Sequence, residues 1–201
     1  MQQVVDDIYT DPDSMPQPYY YSSQPLQSAC MVIDPFTGEI KAIGGAIGEK
    51  DRNFGFNYAI DAHRPSGSSA KPLASYGPAM DLGLITESTL VDDSPDIQLR
   101  GTYWYPRNSG SSYDGIITIW DALVRSKNTV AAQIIDKLTP SVSFEYLTER
   151  MGFQLVEADR DCAPLALGQF TYGVTVREMA QAYTSFPNDG EMTYARSYSL
   201  I

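Results

Sequence analysis

Ser68-Ser69-Ala70-Lys71, within the segment 64–72 that reads Arg-Pro-Ser-Gly-Ser-Ser-Ala-Lys-Pro, is the most informative stretch of this sequence. On a helix, a spacing of three residues puts the side chains of Ser68 and Lys71 on one face. A serine hydroxyl is a weak nucleophile until a base removes its proton, and lysine is such a base when burial lowers its pKa. Ser68 also falls near a predicted helix start, where unpaired backbone N–H groups favour a developing oxyanion. The pattern indicates Ser68 as a candidate nucleophile and Lys71 as its base.

Pro72 follows Lys71 directly, which makes a regular helix less favourable at this place. A sequence that keeps such a residue here is more typical of a functional site than of a helix that only packs. Proline lacks the N–H that would bond the Ser68 carbonyl, and it disfavours helical geometry at the residue before it. Such costs tend to persist where a site needs them. The alternative is an ordinary helix start, because Ser-x-x-Lys is a short pattern.

A second element, Ser126-Lys127-Asn128, lies between two predicted helices. On a tight turn, Ser126 would pass a proton to a leaving group, and the Asn128 amide would hold a substrate amide or the lysine. The alternative is a plain turn between helices, for which Ser and Asn are ordinary residues. The sequence contains one Ser-x-x-Lys and one Ser-x-Asn, in the order and at about the separation that one enzyme class requires.

Ser-x-x-Lys, Ser-x-Asn and Lys-Thr/Ser-Gly are the signature set of penicillin-binding proteins and class A β-lactamases. Over about residues 26–201, the chain resembles the N-terminal part of the transpeptidase domain of a bifunctional (class A) penicillin-binding protein. Besides the two motifs, the similar segments are Val-Ile-Asp-Pro-Phe-Thr-Gly-Glu-Ile (32–40), Phe-Asn-Tyr-Ala (56–59), Val-Asp-Asp-Ser-Pro (91–95), Ala-Leu-Val-Arg-Ser-Lys-Asn-Thr-Val-Ala-Ala (122–132) and Ala-Leu-Gly-Gln-Phe-Thr-Tyr-Gly-Val-Thr (166–175).

The resemblance implies an α+β fold of the penicillin-binding, serine-transpeptidase (β-lactamase-like) type, with an N-terminal β-hairpin and a mostly helical subdomain. Residues 28–201 would form part of that domain, and residues 1–27 a linker or extended arm. The resemblance also implies that Ser68 attacks the D-Ala-D-Ala carbonyl of a peptidoglycan stem peptide, with its backbone N–H as one half of the oxyanion hole.

The other roles that the resemblance implies fall on the remaining motif residues. Lys71 would be the base for acylation, Ser126 a proton relay, and Asn128 the residue that binds the substrate amide. An amine of a neighbouring stem peptide would accept the acyl group, whereas a β-lactam antibiotic would acylate Ser68 and stay. The expected partners are therefore peptidoglycan stem peptides and β-lactams, at the extracytoplasmic face of the bacterial cell membrane where the parent protein works.

The third motif is absent, because none of the five lysines is followed by Thr-Gly or Ser-Gly. In the family, the strand that carries it supplies the other oxyanion donor and the contact to the substrate carboxylate. We therefore expect an incomplete fold, and whether a separate chain supplies the C-terminal half as a partner is left open. The sequence also has no apolar run long enough to span a bilayer and no signal-peptide pattern, so we expect no signal or anchor within the chain.

Composition narrows the function classes further. The formal net charge of −11 repels phosphate, so we expect no nucleic acid as partner. One histidine cannot build a multi-histidine metal site, and Asp92, Asp93 and Asp96 lack calcium-loop spacing, so they are interpreted as a solvated turn. We expect neither a cofactor nor a metal. Cys30 and Cys162 are interpreted as two small buried residues.

Two other functions stay open from the sequence. The first is a D,D-carboxypeptidase or β-lactamase-type hydrolase, in which water replaces the acceptor amine; a β-lactamase would need a deacylating carboxylate, which the sequence does not reveal. The second is a non-catalytic β-lactam-binding or scaffold fragment. The leading hypothesis is a serine-type D,D-transpeptidase, an acyltransferase of peptidoglycan cross-linking.

Local patterns predict the elements that carry these motifs. A β-hairpin is expected over residues 28–45, and a helix over residues 68–82 that bends at Gly77-Pro78. Residues 91–115 are expected to be irregular. Four further helices are expected, beginning at the cap Thr118, near residue 129, at Thr139-Pro140 and at the capping box Thr175-x-x-Glu178.

Overall fold

The structure of the chain is a computed structural model that describes residues 1–14, 26–50, 52–100 and 104–198. In these ranges the α-helices are α1 (Gln2–Thr10), α2 (Gly77–Asp81), α3 (Ile119–Val124), α4 (Asn128–Leu138), α5 (Pro140–Glu145), α6 (Cys162–Leu167) and α7 (Val176–Tyr183). The strands are β1 (Cys30–Ile33), β2 (Ile40–Gly44), β3 (Leu90–Asp93) and β4 (Gly115–Thr118). The chain forms two compact units, one of Met1–Arg64 with Val174–Ile201 and the other of Pro65–Gly173.

The predicted hairpin is confirmed, since β1 and β2 pair antiparallel with Cys30 opposite Gly44. The Asp34 carboxylate closes the turn by accepting hydrogen bonds from the backbone N–H groups of Phe36 and Thr37. Gly38 lies in the left-handed region at φ +74°, which glycine adopts without steric cost. In the same unit, α7 packs against β1 and begins at the predicted Thr175–Glu178 capping box.

The N-terminal residues differ from the linker or extended arm that the sequence predicts, because residues 2–10 form α1. The helix packs against β2, where the Gln2 side-chain amide bonds both the N–H and the C=O of Ile43 at 2.9 and 3.0 Å. The prediction weighed polar composition, which carries no signal for this long-range anchor. Residues 15–25 of the predicted arm lie outside the described residues, and the domain boundary at residue 28 stays a prediction.

The predicted helix after Ser68 is present as three short segments of different helix type. A 3₁₀ turn at Gly67–Ala70 is followed by a π-type turn at Pro72–Tyr76 and then by α2. Pro72 and Pro78 each remove one N–H donor from the helical ladder, and the N–H of Gly77 bonds the carbonyl five residues before it, at Pro72. The bend expected at this place is therefore a change of helix type.

The expectation that residues 91–115 are irregular was wrong at both ends. β3 and β4 pair antiparallel, with Leu90 opposite Thr118 and Asp93 opposite Gly115. The pattern was missed because aspartate is depleted in strands, and β3 ends on two of them.

The helical block of the second unit largely follows the sequence. Thr118 caps α3 by accepting the N–H of Asp121, and α4 buries Val130, Ile134 and Leu138 as predicted. The helix from Pro140 continues as a π-type turn at Tyr146–Arg150. The sequence patterns missed α6, against which α4 packs.

The two cysteines are free thiols, but only Cys162 is buried, and Cys30 is half-buried. Burial raises the pKa of the Cys162 thiol to about 12, which leaves it unreactive at neutral pH. Of the helices in the described ranges, none has the length and apolar character needed to cross a bilayer.

Candidate active site

Ser68 sits in the 3₁₀ turn Gly67–Ala70 and is exposed at the wall of a cavity of about 430 Å³. Both sequence motifs reach this cavity. The side chains that line it are all polar or charged: Ser68, Asn108, Ser109, Ser112, Asp114, Arg125, Ser126, Lys127 and Asn128.

Lys71 is buried directly behind this wall, with 1% of its surface exposed. Its ammonium group donates to the backbone carbonyl of Ser126 at 2.7 Å, to the Ser126 hydroxyl at 3.1 Å and to Oδ1 of Asn128 at 2.7 Å. The structure therefore brings together three of the four residues singled out by the sequence. Ser68 shares the cavity with Ser126 and Asn128, but in the described part of the chain its hydroxyl makes no hydrogen bond to Lys71.

Burial lowers the pKa of the Lys71 ammonium from 10.5 to about 8. The cause is desolvation, which disfavours the charged form. All three acceptors of the ammonium are neutral oxygens, and no ion pair to Lys71 occurs within the described ranges. About a tenth of such a lysine is neutral at pH 7, which is enough for a general base.

Ser126 adopts an uncommon backbone conformation, with φ at +53°. A non-glycine residue in the left-handed region costs on the order of 1–2 kcal/mol. Here that conformation follows the end of α3, where the N–H of Ser126 bonds the Leu123 carbonyl at 3.0 Å. It places both the carbonyl and the hydroxyl of Ser126 against Lys71. Strain of this kind is characteristic of functional sites.

Lys127, between the two motif residues, points away from Lys71 into a buried ionic network. With 6% of its surface exposed, it contacts the carboxylates of Asp93 at 2.8 Å and Asp114 at 2.5 Å, and donates to the Ser112 carbonyl at 3.2 Å. Its three N–H donors are thereby satisfied. Although burial alone would lower the pKa of Lys127, its hydrogen bonds to the two aspartates raise it, so this lysine stays charged.

The interpretation of Asp93 as part of a solvated turn was wrong, because its side chain is fully buried. Burial alone would raise the pKa of its carboxyl, but hydrogen bonds from Lys127, Thr129, Asn108 and the Asp114 N–H together lower it. The carboxylate is therefore ionised inside the protein, and no local sequence pattern indicates this burial.

The loop that carries Ser68 is held by a contact between two glycines. The N–H of Gly67 donates to the carbonyl of Gly168 at 3.1 Å, and Gly168 ends α6 in the left-handed region at φ +63°. A Cβ at Gly168 would lie 2.1 Å from the Gly67 carbonyl oxygen. Glycine is thus required at residue 168 both by its φ and by the closeness of the backbone before Ser68.

We expect Gly168→Ala to destabilise the protein by about 3 kcal/mol or more, because backbone must shift to admit the methyl group. Gly83→Ala is the matched control, since Gly83 has φ +66° but open space where its Cβ would be. The control should lose about 1 kcal/mol, the strain of the left-handed conformation alone. Urea unfolding measures both losses, and equal losses would contradict the role given to the Gly67 contact.

No group of three or more His, Cys, Asp or Glu side chains placed to hold a metal ion occurs in the described ranges. The reactive side chains of the site are an exposed serine, a buried lysine of lowered pKa, and a serine and an amide on one turn. That set suits acyl transfer through a serine ester. The two motifs that supply it, in this order, are two of the three in the signature set of penicillin-binding proteins and class A β-lactamases.

The comparisons with known proteins identify the family. Residues 28–198 match the family model described as penicillin binding protein transpeptidase domain. The chain belongs to this family, and the prediction that it is a class A transpeptidase domain of the α+β penicillin-binding fold is confirmed.

Three relatives illustrate the similarity. Penicillin-binding protein 1A of Clostridium botulinum is 35% identical over 187 residues, which are 87% of this chain and 22% of the relative. The crystal structure of penicillin-binding protein 1A from Haemophilus influenzae is 32% identical with a TM-score of 0.68, over 82% of this chain and 24% of that one. The structure of PonA1 from Mycobacterium tuberculosis in complex with penicillin V is 25% identical with a TM-score of 0.72. The match covers 96% of this chain and 50% of PonA1 in that structure. The chain spans about a fifth of the length of the curated relative.

Proposed function

We propose that this chain forms an acyl-enzyme at Ser68 in D,D-transpeptidation, the cross-linking step of peptidoglycan synthesis. The observation that carries the proposal is the buried ammonium of Lys71, held by Ser126 and Asn128 behind the cavity that Ser68 lines. A lysine with a pKa of about 8 and only neutral acceptors is suited to take a proton and has no evident packing role.

The first half of the reaction forms the ester. The Ser68 hydroxyl oxygen attacks the carbonyl carbon between the two D-alanines of a stem peptide, and its proton passes to neutral Lys71. The oxyanion receives a hydrogen bond from the backbone N–H of Ser68. Collapse breaks the peptide bond, and the Ser126 hydroxyl passes the proton from Lys71 to the departing D-alanine amine.

The second half reverses these proton movements. The amine of a neighbouring stem peptide attacks the Ser68 ester, gives up a proton towards Lys71 through Ser126, and forms the new amide. Ser68 leaves with its proton restored, so one peptide bond is broken and one is made without any redox change. The Asn128 amide holds the stem-peptide backbone during both halves.

The same chemistry defines the partners of the site. A β-lactam presents a strained amide to Ser68 and remains as a stable ester, so β-lactams and stem peptides compete for the cavity. The work site of the parent protein is the extracytoplasmic face of the bacterial membrane, where its substrate lies.

The contacts of Asp114 support a stable acyl-enzyme rather than the hydrolase. Asp114 is the acidic residue among those that line the cavity, and a β-lactamase would need such a group to activate water. Its carboxylate is bound by Lys127 and Arg125, and the hydrogen bond from Lys127 leads the contacts that lower its pKa. A carboxylate held in this way is a weak base.

Incubation with a fluorescent penicillin, followed by intact mass measurement, tests the proposal. We expect one adduct per chain that persists for many minutes after free drug is removed. Rapid loss of the adduct would favour the hydrolase, and no adduct at all would favour a non-catalytic fragment. Release of D-alanine from a D-Ala-D-Ala peptide in the presence of an acceptor amine checks the native reaction.

A further inference from the structure

Asn108 connects the Ser126–Asn128 turn to the buried Asp93. Its side-chain oxygen accepts the backbone N–H of Asn128 at 2.8 Å and that of Thr129 at 3.2 Å, at the first turn of α4. Its amide nitrogen donates to Asp93 at 2.5 Å. The end of the turn therefore depends on the orientation of one amide, which Asp93 sets together with the Ser112 carbonyl, 3.0 Å from the same amide nitrogen.

Asp93 also holds the middle of the turn, through Lys127 at 2.8 Å. Its remaining contacts are the hydroxyl of Thr129 and the N–H of Asp114 at 3.0 Å. One buried carboxylate thus binds the residue between the two motif positions and the residue that follows the turn. A carboxylate offers about four acceptor directions, and all of them are used here.

We propose that Asp93 is a positioning residue, which through Lys127 and Asn108 holds the strained turn so that the oxygens of Ser126 and Asn128 face Lys71. This inference deepens the proposed function and rests on it for its catalytic meaning. Asp93 makes no contact with Lys71 and does not line the cavity, so it acts only through the residues it holds.

The arrangement requires a carboxylate and not merely a side chain of its shape. An asparagine at residue 93 would turn its NH₂ group toward the Lys127 ammonium or toward the Asn108 amide, so donor would face donor. Asp93→Asn therefore preserves volume but breaks the contacts that carry the proposal. The turn, strained at Ser126, is then free to relax away from Lys71.

Relaxation of the turn has a measurable effect on Lys71. The ammonium form has three hydrogen bonds to the turn, and losing them disfavours that form and lowers the pKa further. Among the described residues, the charged groups that form ion pairs around the turn are Lys127, Asp93, Asp114 and Arg125. Loss of the Asp93 charge also lowers the pKa of a nearby cation, so both effects have the same sign for a Lys71 that stays buried, whereas water admitted beside the ammonium would raise its pKa.

Nuclear magnetic resonance of ¹³C-labelled lysine provides the test. The sequence contains five lysines, and the Lys71 signal is assigned by its loss in Lys71→Met. We expect a wild-type midpoint of about 8 and a midpoint lower by about half a unit or more in Asp93→Asn. Asn108→Ala removes the connection between Asp93 and the turn but leaves the Asp93 charge in place. It should shift the Lys71 midpoint in the same direction. Asp92→Asn is the control, because it alters the neighbouring carboxylate on the opposite face of β3 and should leave the midpoint unchanged.

Circular dichroism establishes that each variant is folded before its midpoint is read. An unchanged Lys71 midpoint in the folded Asp93→Asn or Asn108→Ala protein would overturn the proposal, since a purely structural role lowers stability without moving this titration. The readout does not depend on turnover. Failure of the wild type to form an adduct at Ser68 would instead count against the proposed function, so the two failures are distinguishable. Where the adduct forms, its rate in Asp93→Asn should fall about tenfold or more.

Discussion

Replacing Ser68 with alanine is expected to abolish covalent labelling by penicillin, while the wild-type chain gains one adduct. The reason is that the ester forms on the Ser68 oxygen, and alanine has no atom to take its place. Ser68 is exposed and makes no side-chain hydrogen bond within the described ranges, so its removal should leave the fold intact. Intact mass spectrometry with excess drug measures the adduct, and thermal unfolding confirms that the variant is folded.

Ser69→Ala is the matched control for this experiment. Ser69 is the next residue of the same 3₁₀ turn and is also exposed, but its hydroxyl donates to the Ser66 carbonyl at 2.6 Å. We expect the Ser69 variant to label within about twofold of the wild-type rate, as for a surface change worth less than about 0.5 kcal/mol. An adduct that persists in Ser68→Ala, or that disappears in Ser69→Ala, would reassign the nucleophile.

The second large effect is expected at Lys71. Both Lys71→Met and Lys71→Arg should slow acylation by roughly 10²–10⁴-fold, the contribution of a general base. Methionine fills the buried space without a base, and arginine keeps the charge but cannot lose its proton near neutral pH. A stopped-flow measurement of the acylation rate, with the reporter penicillin in excess, gives both values.

The pH dependence of the wild-type rate follows from the same group. Because neutral Lys71 is the base and its pKa is about 8, the rate should rise about tenfold per pH unit below that value and level off above it. The rate increases with pH because alkaline conditions populate neutral Lys71, the active form, and burial lowers the pKa at which this form appears. A rate that is flat between about pH 6 and 9, or an arginine variant as fast as the wild type, would exclude Lys71 as the base.

The sequence was informative where short-range chemistry determines structure. The capping box at Thr175, the cap at Thr118 and the apolar stripe of α4 each depend on residues within a few positions of one another, and all three are present. The same holds for Ser126 and Asn128, whose shared turn was expected. Their contact with Lys71 could be anticipated because the family resemblance supplied a long-range relation that local patterns lack.

What the sequence did not reveal depends on contacts between distant segments. Asp93 is 34 residues from Lys127, and nothing local distinguishes it from the half-buried Asp92 beside it. Gly168 is required because the backbone of Gly67 passes close to it, which only the folded chain displays. The left-handed Ser126 was equally invisible, since serine gives no signal for positive φ.

The pairing of Gln2 with Ile43 covers one position on an open strand edge. The outer edge of β2 presents backbone groups that could template the strand of another molecule, and such edges are common starting points of aggregation. A side-chain amide has the same donor and acceptor as a peptide group, so Gln2 occupies the edge at Ile43 much as a neighbouring strand would. The first turn of α1 thereby shields the edge at Ile43 from pairing with a strand of another molecule.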